Sequence, residues 1–364
     1  MADHVLTTNV DLGFIEKTDS RLLKSKYFPS KVGGKPAWLS LAPLPDPSDL
    51  SCSVCGASLT FLLQIYSARK SSHAFHRTIF IFICRNPSCS QENSNRNFKV
   101  YRSQLPRVNE FYSSEPPDEN VPEDEAMKLS SYQVPPLCRI CGVLALKRCA
   151  RCHKADYCSK DHQTLDWKIH KKMCSIDEQP HSKNTKDKDV RHSTFLFCEA
   201  ELVTEPEEWE QGGDEKSEEE RLKEYKDFLK TSQAEKMLDG KDETDLDMMA
   251  AADSEDTKQF TKFKARISTD SQQVLRYDRG GEPLWVSAHN KPTSIPKCQC
   301  GAEREFEFQV LPQLLCHLGV DSLGDSIDWG TLCVYTCRQS CDIGTRYQDE
   351  FLWKQDIFIS KSEK

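Results

Sequence analysis

Apolar residues gather in a few short, dense runs along this chain. Phe61-Leu62-Leu63-Gln64-Ile65-Tyr66 and Ile79-Phe80-Ile81-Phe82-Ile83 lie in the first third; Phe306-Glu307-Phe308-Gln309-Val310 and Leu332-Cys333-Val334-Tyr335-Thr336 lie near the end. Runs this short, rich in aromatic and β-branched residues, predict strands. Phe98, Val100 and Tyr101 predict a closing strand for the first group, and Tyr347, Phe351 and Trp353 its counterpart in the second. Phe195-Leu196-Phe197-Cys198 predicts a strand that opens the second folded part. Helix is expected over 311–318 and around Leu222, Tyr225 and Leu229, which recur at spacings of three and four. Three polar connectors separate these groups. Residues 113–136 are rich in Pro and acidic residues and read as a tether; 175–194 form a polar linker; 205–258 form an acidic insertion with too little apolar content to order itself fully. Disorder is expected from about residue 239 to 256.

The two strand groups are written to one plan. Gly33-Gly34-Lys35-Pro36-Ala37-Trp38 is followed by Cys52-x2-Cys55-Gly56-Ala57, a strand run, and Cys84-Arg85 with Cys89. Gly280-Gly281-Glu282-Pro283-Leu284-Trp285 is followed by Cys298-x-Cys300-Gly301-Ala302, a strand run, and Cys337-Arg338 with Cys341. Such an order of matching landmarks indicates an internal duplication. Each copy predicts one zinc site: Cys52, Cys55, Cys84 and Cys89 in the first, Cys298, Cys300, Cys337 and Cys341 in the second. The metal would staple a strand end to a distant turn and close a long loop. Cys333 competes as a ligand but reads as a core cysteine, and Cys198 and Cys316 read as small apolar fillers. His73 and His76 are alternative ligands for the first site. Trp38 and Trp285 are expected in the core, and the glycine pairs at close backbone approaches or positive φ.

Between the copies lies the densest chemistry. Cys138-x2-Cys141, Cys149-x2-Cys152, Cys158-x3-His162 and His170-x3-Cys174 place eight thiol or imidazole groups within residues 138–174. Eight ligands suffice for two four-coordinate zinc ions and leave no open position for water, which points to structure instead of hydrolysis. So short a segment cannot build an apolar core, and bound metal must supply folding free energy on the order of 10 kcal/mol per site. His162, His170 and Cys174 fit along one side of a short helix.

Composition narrows the function classes. Seventeen cysteines without a secretory signal point to thiolate ligands in a reducing compartment. The longest apolar run, 79–84, is too short to span a bilayer, so no membrane role is expected. The net charge of −8 and the interleaving of Lys and Arg with acids argue against direct DNA binding. Candidate acids such as Asp328 and Glu350 have no base or nucleophile placed beside them in the sequence, so catalysis is not expected.

The order of the eight central ligands, with Tyr157 before Cys158 and the ending His170-Lys171-Lys172-Met173-Cys174, resembles the MYND zinc finger. The resemblance implies interleaved sites: Cys138, Cys141, Cys158 and His162 on one ion; Cys149, Cys152, His170 and Cys174 on the other. His162 stands where Cys is more usual, and imidazole ligates zinc equally well. The resemblance also implies a groove for proline-containing peptides near Gln163 and Trp167, against the plainer reading that Trp167 covers the metal core. With Lys31-Val32-Gly33-Gly34-Lys35-Pro36-Ala37-Trp38 and Ser326-Ile327-Asp328-Trp329-Gly330-Thr331-Leu332, the whole chain resembles the programmed cell death protein 2 family. The expected architecture is α+β, mainly β: a zinc-bearing repeat at 1–112, the tether, the finger at 137–174, the polar linker, and a second zinc-bearing repeat at 195–364 that contains the acidic insertion. The resemblance implies a dedicated chaperone for a basic small-subunit ribosomal protein, acting in ribosome biogenesis in the cytoplasm and nucleus. The related halves would grip the client in a cleft or along sheet edges. Alternatives are a MYND-mediated transcriptional corepressor or a regulator of apoptosis and proliferation. A SET-type methyltransferase lacks its cofactor elements here, and a RING-type ubiquitin ligase does not share the His170-x3-Cys174 ending.

Overall fold

The computed structural model describes residues 5–118, 135–174, 195–210, 255–320 and 326–357. Most of the polar connectors, including the expected helix at Leu222–Leu229 and residues 239–254, lie outside the described residues. The first copy contributes β2 (Lys31–Val32), β3 (Thr60–Tyr66), β4 (His76–Ile83) and β5 (Phe98–Leu105). The second contributes β9 (Leu275–Tyr277), β10 (Arg304–Val310), β11 (Thr331–Cys337), β12 (Tyr347–Asp349) and β13 (Phe351–Gln355). Two long strands, β1 (Val5–Glu16) and β8 (Ala200–Glu210), precede the copies. The finger carries a ribbon, β6 (Lys147–Arg148) with β7 (Asp156–Tyr157), and helix α1 (Lys160–His170). Two further helices are α2 (Glu255–Ser268) and α3 (Gln313–Leu318).

Eleven strands form one antiparallel sheet in the order β12-β5-β4-β3-β2-β8-β1-β9-β10-β11-β13. The copies sit as mirrored meanders on either side of a central β8–β1 pair. That pair is exchanged. β1, which opens the chain, pairs with β9 of the second copy through Asp11–Tyr277 and Gly13–Leu275. β8, which opens the second copy, pairs with β2 of the first through Lys31–Glu201. At the far ends β12 joins β5 and β13 joins β11. Glu350 alone separates β12 from β13, and its N–H donates to Val100 O at 2.9 Å, so the ladder returns to the segment where it began. Among the described residues, the end of the β1–β8 ladder, where Val5–Thr7 pair with Glu208–Glu210, has no third strand beside it.

Strict alternation explains the continuous apolar run of β4. Ile79, Ile81 and Ile83 point inward to a core shared with Phe308, Val310, Leu332, Val334 and Leu352 of the other copy. Phe80 and Phe82 point outward to a second core, where Trp38, Phe61 and the finger residues Ile140, Val143 and Tyr157 meet. With both faces covered, polar relief is unnecessary. Two buried ion pairs cross between the copies. Arg77 Nη2 donates to Glu307 Oε2 at 2.7 Å, and Arg102 Nε to Glu350 Oε1 at 2.6 Å; all four side chains are fully buried.

Four sequence readings change. Phe195–Phe197 precedes a strand instead of forming one: β8 starts at Ala200 and continues through the first residues of the expected acidic insertion. Glu207 is buried there because Arg276 Nη2 meets its carboxylate at 2.8 Å. The end of the insertion is helical, since α2 buries Phe263 and Ile267. Trp38 is a core residue, but Trp285 is only partly buried, and its neighbour Val286 takes the interior position. Cys198 and Cys316 are exposed, not fillers, whereas Cys333 is fully buried beside Phe306 and Tyr335.

Candidate metal centres

Four turns position the first ligand pairs, and all four are built alike. After the second cysteine the backbone turns left-handed: φ is +72° at Gly56, +73° at Gly142 and +86° at Gly301, and 54° at His153. The N–H of that residue bonds back to the first cysteine's carbonyl at 2.8–3.0 Å. The N–H of the first cysteine in turn donates to Ala57, Val143, Ala155 or Ala302. This turn aims two sulfurs at one point and explains the Cys-Gly-Ala found in both copies. Only glycine enters such a φ without strain. The remaining ligands come from strand ends and from α1. Cys84 follows β4 and Cys337 ends β11; Cys89 and Cys341 lie in the turns beyond. His162 lies in the first turn of α1, which Ser159 caps by accepting from His162 N at 3.2 Å; His170 ends the helix and Cys174 follows it.

The ligand atoms fall into four groups, each within 4.8 Å: Cys52, Cys55, Cys84 and Cys89; Cys138, Cys141, Cys158 and His162; Cys149, Cys152, His170 and Cys174; Cys298, Cys300, Cys337 and Cys341. All sixteen positions singled out by spacing or resemblance are gathered, in the interleaved order for the finger. The tight Cys298-x-Cys300 spacing is accommodated. The separations within groups are informative. Sulfurs lie 3.7 Å apart at Cys55–Cys84, 3.6 Å at Cys141–Cys158, 3.7 Å at Cys149–Cys174, 3.8 Å at Cys298–Cys341 and 3.7 Å at Cys300–Cys337. A tetrahedron with Zn–S of about 2.3 Å has an edge of about 3.8 Å. The seventeen cysteines are unbridged, so these spacings match ligands around a small ion and not disulfides. His162 approaches through Nδ1, 3.5 Å from Cys138 Sγ, and His170 through Nε2, 3.4 Å from Cys152 Sγ. The donor sets therefore fit Zn²⁺, and a bound ion would complete each tetrahedron and leave no site for a reacting water.

Backbone dipoles favour the thiolate at some of the ligands, while burial pushes others, Cys89 and Cys174 among them, up to about 11. The Cys152 N–H holds the Cys149 thiol down at about 6, and the Ala302 N–H holds Cys300 down at about 7. Two supporting residues were not foreseen. Asp166, on the inner face of α1 midway between His162 and His170, accepts from Tyr157 OH at 2.6 Å and faces Arg139 at 3.1 Å. Its helical spacing from both ligands was the available signal. Arg102 Nη2 lies 3.4 Å from Cys341 Sγ, so the first copy offers a cation to the second copy's thiolates; no spacing along the chain could announce that contact. His73 and His76 are not ligands: His73 Nε2 meets Ser340 O at 2.8 Å, and His76 Nδ1 meets Tyr66 OH at 2.9 Å. Glu350 is held by Arg102 and Arg304 and serves packing between the copies.

The finger is docked onto the first copy. Trp38 Nε1 donates to Gly142 O at 2.8 Å, and the Phe195 ring lies edge-on to His162 at 4.3 Å. On α1, Gln163 and Trp167 share a side; Gln163 is half-buried and Trp167 is 41% exposed, with its ring 6.0 Å from His170. Trp167 thus borders a ligand and also presents a face to solvent.

Residues 9–119 match the N-terminal domain and residues 257–356 the C-terminal domain described for programmed cell death protein 2, and residues 138–174 match the MYND finger. Over 358 residues, 97% of the chain and 98% of the relative, the chain is 46% identical to Programmed cell death protein 2 of Rattus norvegicus. Over 351 residues, 86% of the chain and 85% of the relative, it is 27% identical to Programmed cell death protein 2-like of Homo sapiens. Over 99 residues, 23% of the chain and 24% of the relative, it is 33% identical to Probable 20S rRNA accumulation protein 4 of Schizosaccharomyces pombe. No solved structure matches the chain.

Proposed function

The chain belongs to the programmed cell death protein 2 family, and on that premise we propose that it is a non-catalytic, zinc-dependent chaperone or adaptor for a basic small-subunit ribosomal protein. In this reading four zinc ions, one in each ligand group, hold the binding body together. The observation that carries the assignment is the stretch similar to a Schizosaccharomyces pombe protein named for rRNA accumulation. The net charge of −8 supports it, because an acidic surface steers and screens a basic client. The closed ladder makes sheet edges scarce, so an extended client segment would add at the unflanked end of β1–β8, beside the exposed Glu205 and Glu208. Residence in both cytoplasm and nucleus goes with this role, and any link to apoptosis or proliferation follows from ribosome supply.

The test is capture of purified small-subunit ribosomal proteins at graded salt. Deleting residues 211–254, an Asp/Glu-rich stretch, should weaken capture mainly at low ionic strength. Affinity unchanged at every salt concentration would remove the electrostatic part of the reading, and capture of no ribosomal protein would remove the whole. A second reading, corepression through proline-containing peptides, is favoured by the exposed Trp167 face. Exchanging Gln163 and Trp167 for Ala should abolish peptide binding while leaving ribosomal-protein capture intact; peptide binding that survives the exchange excludes the groove.

A further inference from the structure

Where the two copies meet, a cavity of about 470 Å³ opens between residues 68–71, just before β4, and the turn 338–340, just after β11. Arg69, Lys70, Ser71 and Arg338 line it. The turn is anchored from the first copy: His73 Nε2 meets Ser340 O at 2.8 Å and Gln104 Nε2 donates to the same oxygen at 3.3 Å. The walls are therefore preformed.

The charge in this cavity is out of balance. Arg77, Arg279 and Arg338 share two carboxylates, Glu305 and Glu307. Arg69 and Lys70 add two more cations and no acid. Arg69 is half-buried and makes no side-chain hydrogen bond or ion pair among the described residues. Burial, with Arg279 and Arg77 nearby, pushes its guanidinium below the usual arginine range. The Ser71 hydroxyl is buried at the same place and also has no hydrogen-bond partner among the described residues. A half-buried cation among like charges is destabilising unless an anion completes it.

We infer that this inter-copy cavity is a binding site for a phosphate monoester dianion, held by Arg69, Lys70 and the Ser71 hydroxyl. A dianion offsets most of the excess of three cations where a single carboxylate would not, and a guanidinium fork with a hydroxyl donor suits phosphate oxygens. The site lies outside the four metal centres, and its sign is opposite to that needed for a basic client, so it goes beyond the chaperone reading. Because its walls come from both copies, an occupant ties them together.

Isothermal titration calorimetry on the zinc-loaded full chain, at constant ionic strength, tests this with inorganic phosphate and with a phosphoserine peptide free of other acids. Saturable one-to-one binding is expected, weakened at least tenfold by Arg69→Met and unaffected by Arg148→Met on the finger. Without phosphate, Arg69→Met should melt at or above the parent temperature, and phosphate should no longer raise it. Should that variant fold poorly, Lys70→Met, at an exposed position, carries the same comparison. Equal affinity for both probes assigns the site to the free anion; a tenfold preference for the peptide assigns it to a phosphoprotein. Absence of saturable binding for both probes, or equal affinity in the Arg69, Lys70 and Arg148 variants, overturns the inference.

Discussion

Gly301 and His153 occupy the same position in two equivalent metal turns, and the chain treats them differently. A Cβ at Gly301 would meet nothing within 4 Å, so its φ of +86° is the only demand on the residue. His153 adopts 54° with a full side chain and is exposed. Opposite substitutions should therefore have opposite signs. Gly301→Ala should destabilise by about 1 kcal/mol, and His153→Gly should stabilise by about 0.5 kcal/mol, once unfolded-state entropy is set against left-handed strain. Denaturant melts of the zinc-loaded protein check both; a loss on His153→Gly would mean that its side chain has a role beyond the turn. At this scale the sequence was highly legible, since Cys-Gly-Ala written twice announces the turn. Arg102 was not, because its partner is fixed by packing and not by spacing, and Asp166 was marked only by its helical spacing from His162 and His170.

Among the elements, legibility followed burial. β3, β4 and β11 are covered on both faces and read as largely apolar runs, whereas β10 alternates and buries Glu307 and Gln309 between its apolar residues. β1 and β8 are not legible in this way, because their character comes from each other. Glu205 and Glu208 are exposed and Glu207 is neutralised by arginines that follow it by more than fifty residues, so local composition gives β8 the look of a linker. Exchange of the opening strands makes the copies mutually dependent. Removing residues 5–16 should leave β8 and β9 each paired on one side only, to β2 and β10, and abolish cooperative unfolding of the second copy, although the deletion lies in the first. Hydrogen exchange checks this. Full protection of β10 and β11 after the deletion would show that the copies are independent.

For the molecule as a whole, the interior charges set an acid limit. Burial alone would push the Glu307 carboxyl up, but the Arg77 and Arg279 guanidiniums and the Thr336 hydroxyl more than offset it and hold it down at about 2, against 4.5 for a free carboxyl. A depressed carboxyl contributes stability that is complete above 4.5 and is lost as pH falls toward 2. The melting difference between the parent and Glu307→Gln should accordingly be constant from pH 8 to 6 and shrink between pH 4.5 and 3; a difference that grows in acid would reverse the assignment. Larger still is the dependence on metal, because the first-ligand turns, the strand ends and the ends of the finger helix converge at the sixteen ligand atoms. Intact mass under non-denaturing conditions measures that dependence directly. The account predicts four zinc ions per chain, lost together with folded structure on chelation; three or fewer in the fully folded protein would contradict it.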